Sequence, residues 1–176
     1  MNNIHERIAC FKTFRIANTI IDKALKENIE INFVELNYLI FLVYAKLLYI
    51  NINSELLIES FFKTSKGPFL ESLASYFDMP YEPITDYIYF DKSFKVFFIP
   101  SEYEWGQVFY SKLDEIWELY KYKYAVTLEI EIKEKYPSVC TIEGNEQINS
   151  NDILNDEIRI QKSKLHNTKQ RKRNLL

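Results

Sequence analysis

The sequence predicts a mainly α-helical protein: a compact helical bundle around one buried central helix, with a small β-hairpin. Three observations carry that reading. Residues 33–50, FVELNYLIFLVYAKLLYI, are apolar except at Glu35, Asn37 and Lys46. Two further stretches repeat apolar residues at three- and four-residue spacing, the signature of an amphipathic helix. Glycine and proline are scarce, 3 and 5 in 176 residues, too few for an all-β fold built on tight turns or for a glycine-rich phosphate loop.

The central run should begin at Phe33, because Asn32 followed by Glu35 is a variant of the capping box. A helix apolar on every face either crosses a membrane or lies inside a bundle. Its uninterrupted part, Tyr38 to Ala45, is short of the roughly 20 residues a span needs, so it reads as a buried helix. Before it, Phe14, Ala17, Ile20, Ile21, Ala24 and Leu25 line one face of a helix over 13–27. The connection at 28–32 is short, which makes the two helices neighbours.

After the central helix, 51–54 is polar and 56–62 is a short apolar run of strand or helix. Gly67 and Pro68 read as a turn into a helix over 69–77, since proline suits a first helical position. Pro80 and Pro83 make 78–85 a loop. Residues 87–90 and 94–99 are aromatic and β-branched around Asp91-Lys92-Ser93, which predicts the β-hairpin. Pro100 stops it, and Ser101 with Glu104 forms a capping box. Behind that box Trp105, Val108, Phe109, Leu113, Ile116, Trp117 and Tyr120 mark an amphipathic helix. A shorter helix is expected over 125–135, irregular chain over 137–149, and a last helix over 151–160. No repeat or linker divides the chain, so residues 1–160 read as one domain.

Residues 161–176 carry six basic residues and no acid, leaving a charge of −9 on the first 160. Low hydrophobicity and high charge predict a disordered tail there. Such a tail can bind nucleic acid, bind an acidic partner, or simply keep the chain soluble. Cys10 and Cys140 form no CxxC pair, and the N-terminal residues are charged rather than apolar, so a reduced, cytoplasmic setting is expected. Neither His5 nor His166 stands in a metal or general-base pattern. Glu129, Glu131 and Glu134 could act as paired carboxylates, but they alternate with Ile130, Ile132 and Lys133 and read as a solvated face. The sequence therefore predicts a non-enzymatic protein with no cofactor, no metal and no membrane partner.

Leu36 and Leu39 in the central helix, Ile58 and Glu59, then Gly67-Pro68, and further on Leu128, Pro137, Gly144, Ile148 and Asp152 together resemble the SocA-like antitoxin domain. That domain, also called Panacea, includes phage-associated GepA-type proteins. In this chain Tyr38 stands where the family has Lys, Phe41 where it has Tyr, and Phe61 where it has Trp. The resemblance implies an antitoxin that neutralises a cognate toxin protein by direct binding, or an adaptor that hands the toxin to a protease. It marks Tyr38, Glu59, Phe61, Gly67 and Pro68 as family-motif or partner-binding positions. A nucleic-acid-associated or phage-derived protein acting through the basic tail is the alternative.

Overall fold

Asn32 and Glu35 start the central helix as a reciprocal cap. The Asn32 side chain accepts from the Glu35 N–H and the Glu35 carboxylate accepts from the Asn32 N–H, both at 3.0 Å. In the computed structural model, which describes residues 2–50, 60–90, 93, 95–100, 102–140 and 146–173 (only the backbone at 2–11, 102–104 and 167–173), α1 spans Asn2–Glu27 and α2 spans Phe33–Tyr49. Helix α1 thus begins eleven residues before the predicted start at 13. It ends at Asn28, whose positive φ of 54° closes the last turn.

Helix α2 is buried on nearly every face because five elements surround it. The helices α1, α4 (Glu102–Tyr120), α5 (Ala125–Lys135) and α6 (Ser150–Arg173) all touch it, as does a small sheet. Phe41 is fully buried, with Phe61 and Tyr136 edge-on at 5.5 and 5.1 Å between ring centroids. This enclosure explains an apolar run without a stripe.

The sheet is antiparallel in the order β2-β1-β3, with β1 at Phe62–Thr64, β2 at Gly67–Phe69 and β3 at Glu146–Gln147. Among the described residues the paired strands of a hairpin lie at 62–69 rather than at 87–99. At the predicted place Phe90 N–H donates to Val96 O at 2.7 Å and Tyr87 stacks on Phe97 at 4.0 Å. No ladder extends this pairing among the described residues. The reason is Asn18, buried on α1, whose amide donates to Ile88 O at 2.9 Å and accepts from Ile88 N–H at 2.8 Å. A helix side chain takes the backbone groups that a partner strand would have used.

Gly67-Pro68 is likewise not a helix start. Both residues lie in β2, and the one-turn helix α3 (Glu71–Ala74) begins only after Leu70. Gly67 has φ 119°, whereas Ser65 and Lys66 stay out of the left-handed region, so the glycine alone supplies the backbone that this hairpin needs. Pro68 lacks an N–H and sits on an outer strand, where proline is tolerated. The run at 56–62 lies mostly outside the described residues, as do Glu59, Ser101 and the Asp91-Lys92 turn.

Two more departures concern helices. Gly106 (φ 76°, ψ 156°) breaks α4 into two helical pieces, a kink its lone glycine could have signalled. Helix α6 runs on to Arg173, so residues 161–173 are helical rather than disordered. They contain no glycine or proline, are rich in lysine, arginine and glutamine, and put their cations toward the negative end of the helix dipole. The first half of α6 is fastened by a buried polar group. Glu157, fully buried, accepts from Lys46 of α2, from Tyr136 and from Gln161. The neighbouring Asp156 accepts from Ser138 N–H at 3.2 Å and from its hydroxyl at 2.6 Å. The predicted 125–135 helix is α5, followed by a 3-10 turn at Pro137–Val139.

Candidate protein-binding cleft

Asn37 locks the hairpin to the central helix. Its side-chain N–H donates to Pro68 O at 2.7 Å and its carbonyl oxygen accepts from Leu70 N–H at 3.0 Å. The outer edge of β2 is thereby occupied by α2 and cannot recruit another strand. One turn of hairpin further, the Tyr38 hydroxyl donates to Lys66 O at 2.7 Å. Within the turn Thr64 Oγ1 donates to Gly67 O at 2.8 Å and accepts from Lys66 N–H at 3.2 Å. An added Cβ on Gly67 would rest 3.5 Å from the Tyr38 ring, so tyrosine and glycine fit each other closely.

Glu35 positions the opposite wall. Its second carboxylate oxygen accepts from Ala125 N–H at 3.0 Å, so one side chain caps two helices. Helix α5 has no cap of its own, because Tyr124 offers no side-chain acceptor to it.

Between these walls opens a cleft of about 390 Å³. Val34 and Tyr38 of α2, Lys66 and Phe69 of the hairpin, Val126 and Glu129 of α5, and Tyr81 all line it. The Lys66 ammonium donates to the Tyr81 hydroxyl at 3.3 Å, and Glu129 accepts from Lys133 at 2.5 Å. A cation of the hairpin and an anion of α5 thus both line the cleft. Burial pushes the Tyr38 hydroxyl well above its ordinary value, and Glu129 adds to the effect. Tyr38 stays protonated and serves as a fixed donor, not as a base.

Two of the lining residues, Tyr81 and Val126, are themselves exposed, and further exposed apolar residues lie near Val126 in the chain. Val126 is 68% exposed, Tyr81 62%, Tyr122 76% and Tyr124 80%, and Ile130 follows Val126 one helical turn on. Rigid tyrosine and aliphatic groups open to water in this number are the composition of a docking surface.

Of the positions marked by the sequence, Tyr38, Gly67 and Pro68 come together at the hairpin and central helix. Phe61 does not join them: it is a core residue between Phe41 and Tyr44. Glu59 lies outside the described residues. Sequence reasoning missed Asn37, Tyr81 and Val126. Only Asn37 left a signal, as a polar residue inside an apolar run.

The acidic group at 129–134 is spread out. Glu131 lies between Lys123 and Lys135, accepting from the latter at 2.7 Å, and Glu134 is exposed. Burial raises the Glu131 carboxyl, but the two ammonium groups outweigh it and hold it below the usual range. Cys140 is half-buried, and that burial pushes its thiol up, away from a reactive thiolate. The side chains of His5 and Cys10 are outside the description. Among the described residues no three His, Cys, Asp or Glu residues converge to hold a metal, and no helix is long and apolar enough to cross a membrane.

Comparison with family models, with characterised proteins and with solved structures finds no match for this chain.

Proposed function

We propose that this protein is a non-enzymatic, cytoplasmic binding module of the antitoxin kind, which neutralises a cognate toxin by gripping it in the cleft between α2, the β1–β2 hairpin and α5. The observation that carries the reading is the cleft with its exposed apolar lining residues Tyr81 and Val126, and Ile130 exposed one turn further along α5. Its walls are set by polar anchors, Asn37 on one side and Glu35 on the other, so little ordering is needed when a partner docks. The resemblance to SocA-like domains supplies the class of partner. A charge of −9 on the first 160 residues suits a basic toxin surface. An adaptor that passes the toxin to a protease would use the same grip.

The test is co-expression with the product of the adjacent gene, read as growth and as co-purification. Relief of toxicity, with a complex that survives a column, is expected. Val126→Asp and Tyr81→Ala should each weaken the complex at least about 30-fold, the loss typical of a central contact worth about 2 kcal/mol. A harmless neighbour, or a complex indifferent to both substitutions, refutes the proposal.

A further inference from the structure

The second half of α6 is a different kind of surface. Gln161, bonded to Glu157, is the last residue of α6 tied to the buried polar group. From Lys162 to His166 every residue is exposed, Leu165 among them at 62%. The helix nevertheless continues to Arg173. At about 1.5 Å per residue, 161–173 makes an arm roughly 20 Å long. It carries Lys162, Lys164, Lys169, Arg171, Lys172 and Arg173 and no acid. Lys162, Lys169 and Arg173 follow one another at seven and four residues, which puts them on one helical face, with His166 between them.

We propose that this helical arm binds the phosphate backbone of duplex nucleic acid, independently of the cleft. Over roughly 20 Å a duplex presents about twelve phosphates, one per 1.7 Å, so a stripe of three cations and its neighbours meets a dense row of acceptors. The arm has no Phe, Tyr or Trp, and stacking on unpaired bases needs such residues. That favours a duplex over a single strand. The acidic remainder of the chain repels phosphate, which confines contact to the arm and gives sequence-independent, salt-sensitive binding.

Fluorescence anisotropy of a labelled 20-base-pair duplex with the full chain tests this. If the three-cation stripe carries the contact, affinity should fall about 40-fold between about 50 and 200 mM KCl, and further if all six cations take part. Replacing Lys162, Lys169 and Arg173 by Gln should abolish most of the binding and its salt slope while leaving thermal unfolding unchanged. Replacing Lys164 and Arg171, on the opposite face, should cost less. Three results would each overturn the proposal: no binding at about 50 mM salt; a triple variant that binds like the parent; or polyglutamate competing as well as the duplex at equal charge, which would make the arm a dock for acidic protein.

Discussion

Replacing Asn37 by Ala removes both ends of the clamp that holds the hairpin to the central helix. Asn37 is 3% exposed, and its amide serves two backbone groups, Pro68 O and Leu70 N–H. Alanine leaves both without their side-chain partner at a buried position. Each orphaned buried group costs about 1–3 kcal/mol, so the expected destabilisation is about 3 kcal/mol, or a fall in Tm of about 6–12 °C for a chain of this size. Urea and thermal unfolding measure it. Because Pro68 lines the cleft, partner affinity should fall as well. Asn18→Ala is the matched control: it breaks the same pair of bonds, here to Ile88, and should cost similar stability without touching the cleft. Asn37→Asp sharpens the test. The carboxylate still accepts from Leu70 N–H but meets Pro68 O with no proton to donate. Its folded pKa is therefore raised, and the variant should recover stability relative to the parent as pH falls and the protonated acid donates again. A loss below about 0.5 kcal/mol in the alanine variant, well under the cost of one orphaned group, or no relative recovery of the Asp variant in acid, refutes the clamp.

Three further outcomes follow from the geometry. Gly106→Ala should cost about 1–2 kcal/mol, because φ is 76° while an added Cβ meets nothing within 4 Å; denaturation measures it, and a loss above 4 kcal/mol would mean a clash the structure does not contain. Glu157→Leu alone should cost about 3–5 kcal/mol by leaving Lys46 buried and unpaired, whereas Lys46→Met, Tyr136→Phe and Glu157→Leu together should restore most of the loss; calorimetry on the two chains decides. The Glu131 carboxyl is held below its ordinary value of about 4.5, so its ion pairs contribute in full above that pH and are lost as pH falls through the lower folded value. Acid unfolding of Glu131→Gln should accordingly be shallower over that window than in the parent chain.

The helices were legible because apolar periodicity is a property of single elements. The 13–27 stretch and the Trp105–Tyr120 stretch show it, the 33–49 run stands out by being apolar throughout, and the Asn32–Glu35 cap is visible in four letters. The hairpin was misplaced because strand propensity names residues that suit an extended backbone, not the group that satisfies it. Phe90 N–H does reach Val96 O, but Asn18 on a helix 70 residues earlier takes both backbone groups of Ile88. Gly67-Pro68 reads as a helix start because proline tolerates both a first helical position and an outer strand, and only the tertiary contact with Asn37 chooses between them. The cleft was half visible. Tyr38, Gly67 and Pro68 entered through resemblance, whereas Tyr81 and Val126 are ordinary surface residues until α5 and the hairpin are brought face to face.

The three polar letters that interrupt the central run are the residues that organise the fold. Glu35 caps α5, Asn37 clamps β2, and Lys46 reaches Glu157 of α6. Each anchors a different element to α2, and each is at most 8% exposed. Apolar packing alone would let those elements slide along a helix that is greasy on every side, since burial is not directional. A hydrogen bond to a named backbone or side-chain atom gives each element one register. The first two anchors stand two residues apart and hold the two walls of the cleft, so its width is set at the helix, not in the loops. Lys46 lies nine residues beyond Asn37, about 13 Å along the axis. Perturbing the Lys46–Glu157 anchor should therefore loosen α6 and its basic arm while the cleft keeps its shape, and the two binding surfaces can be separated by mutation.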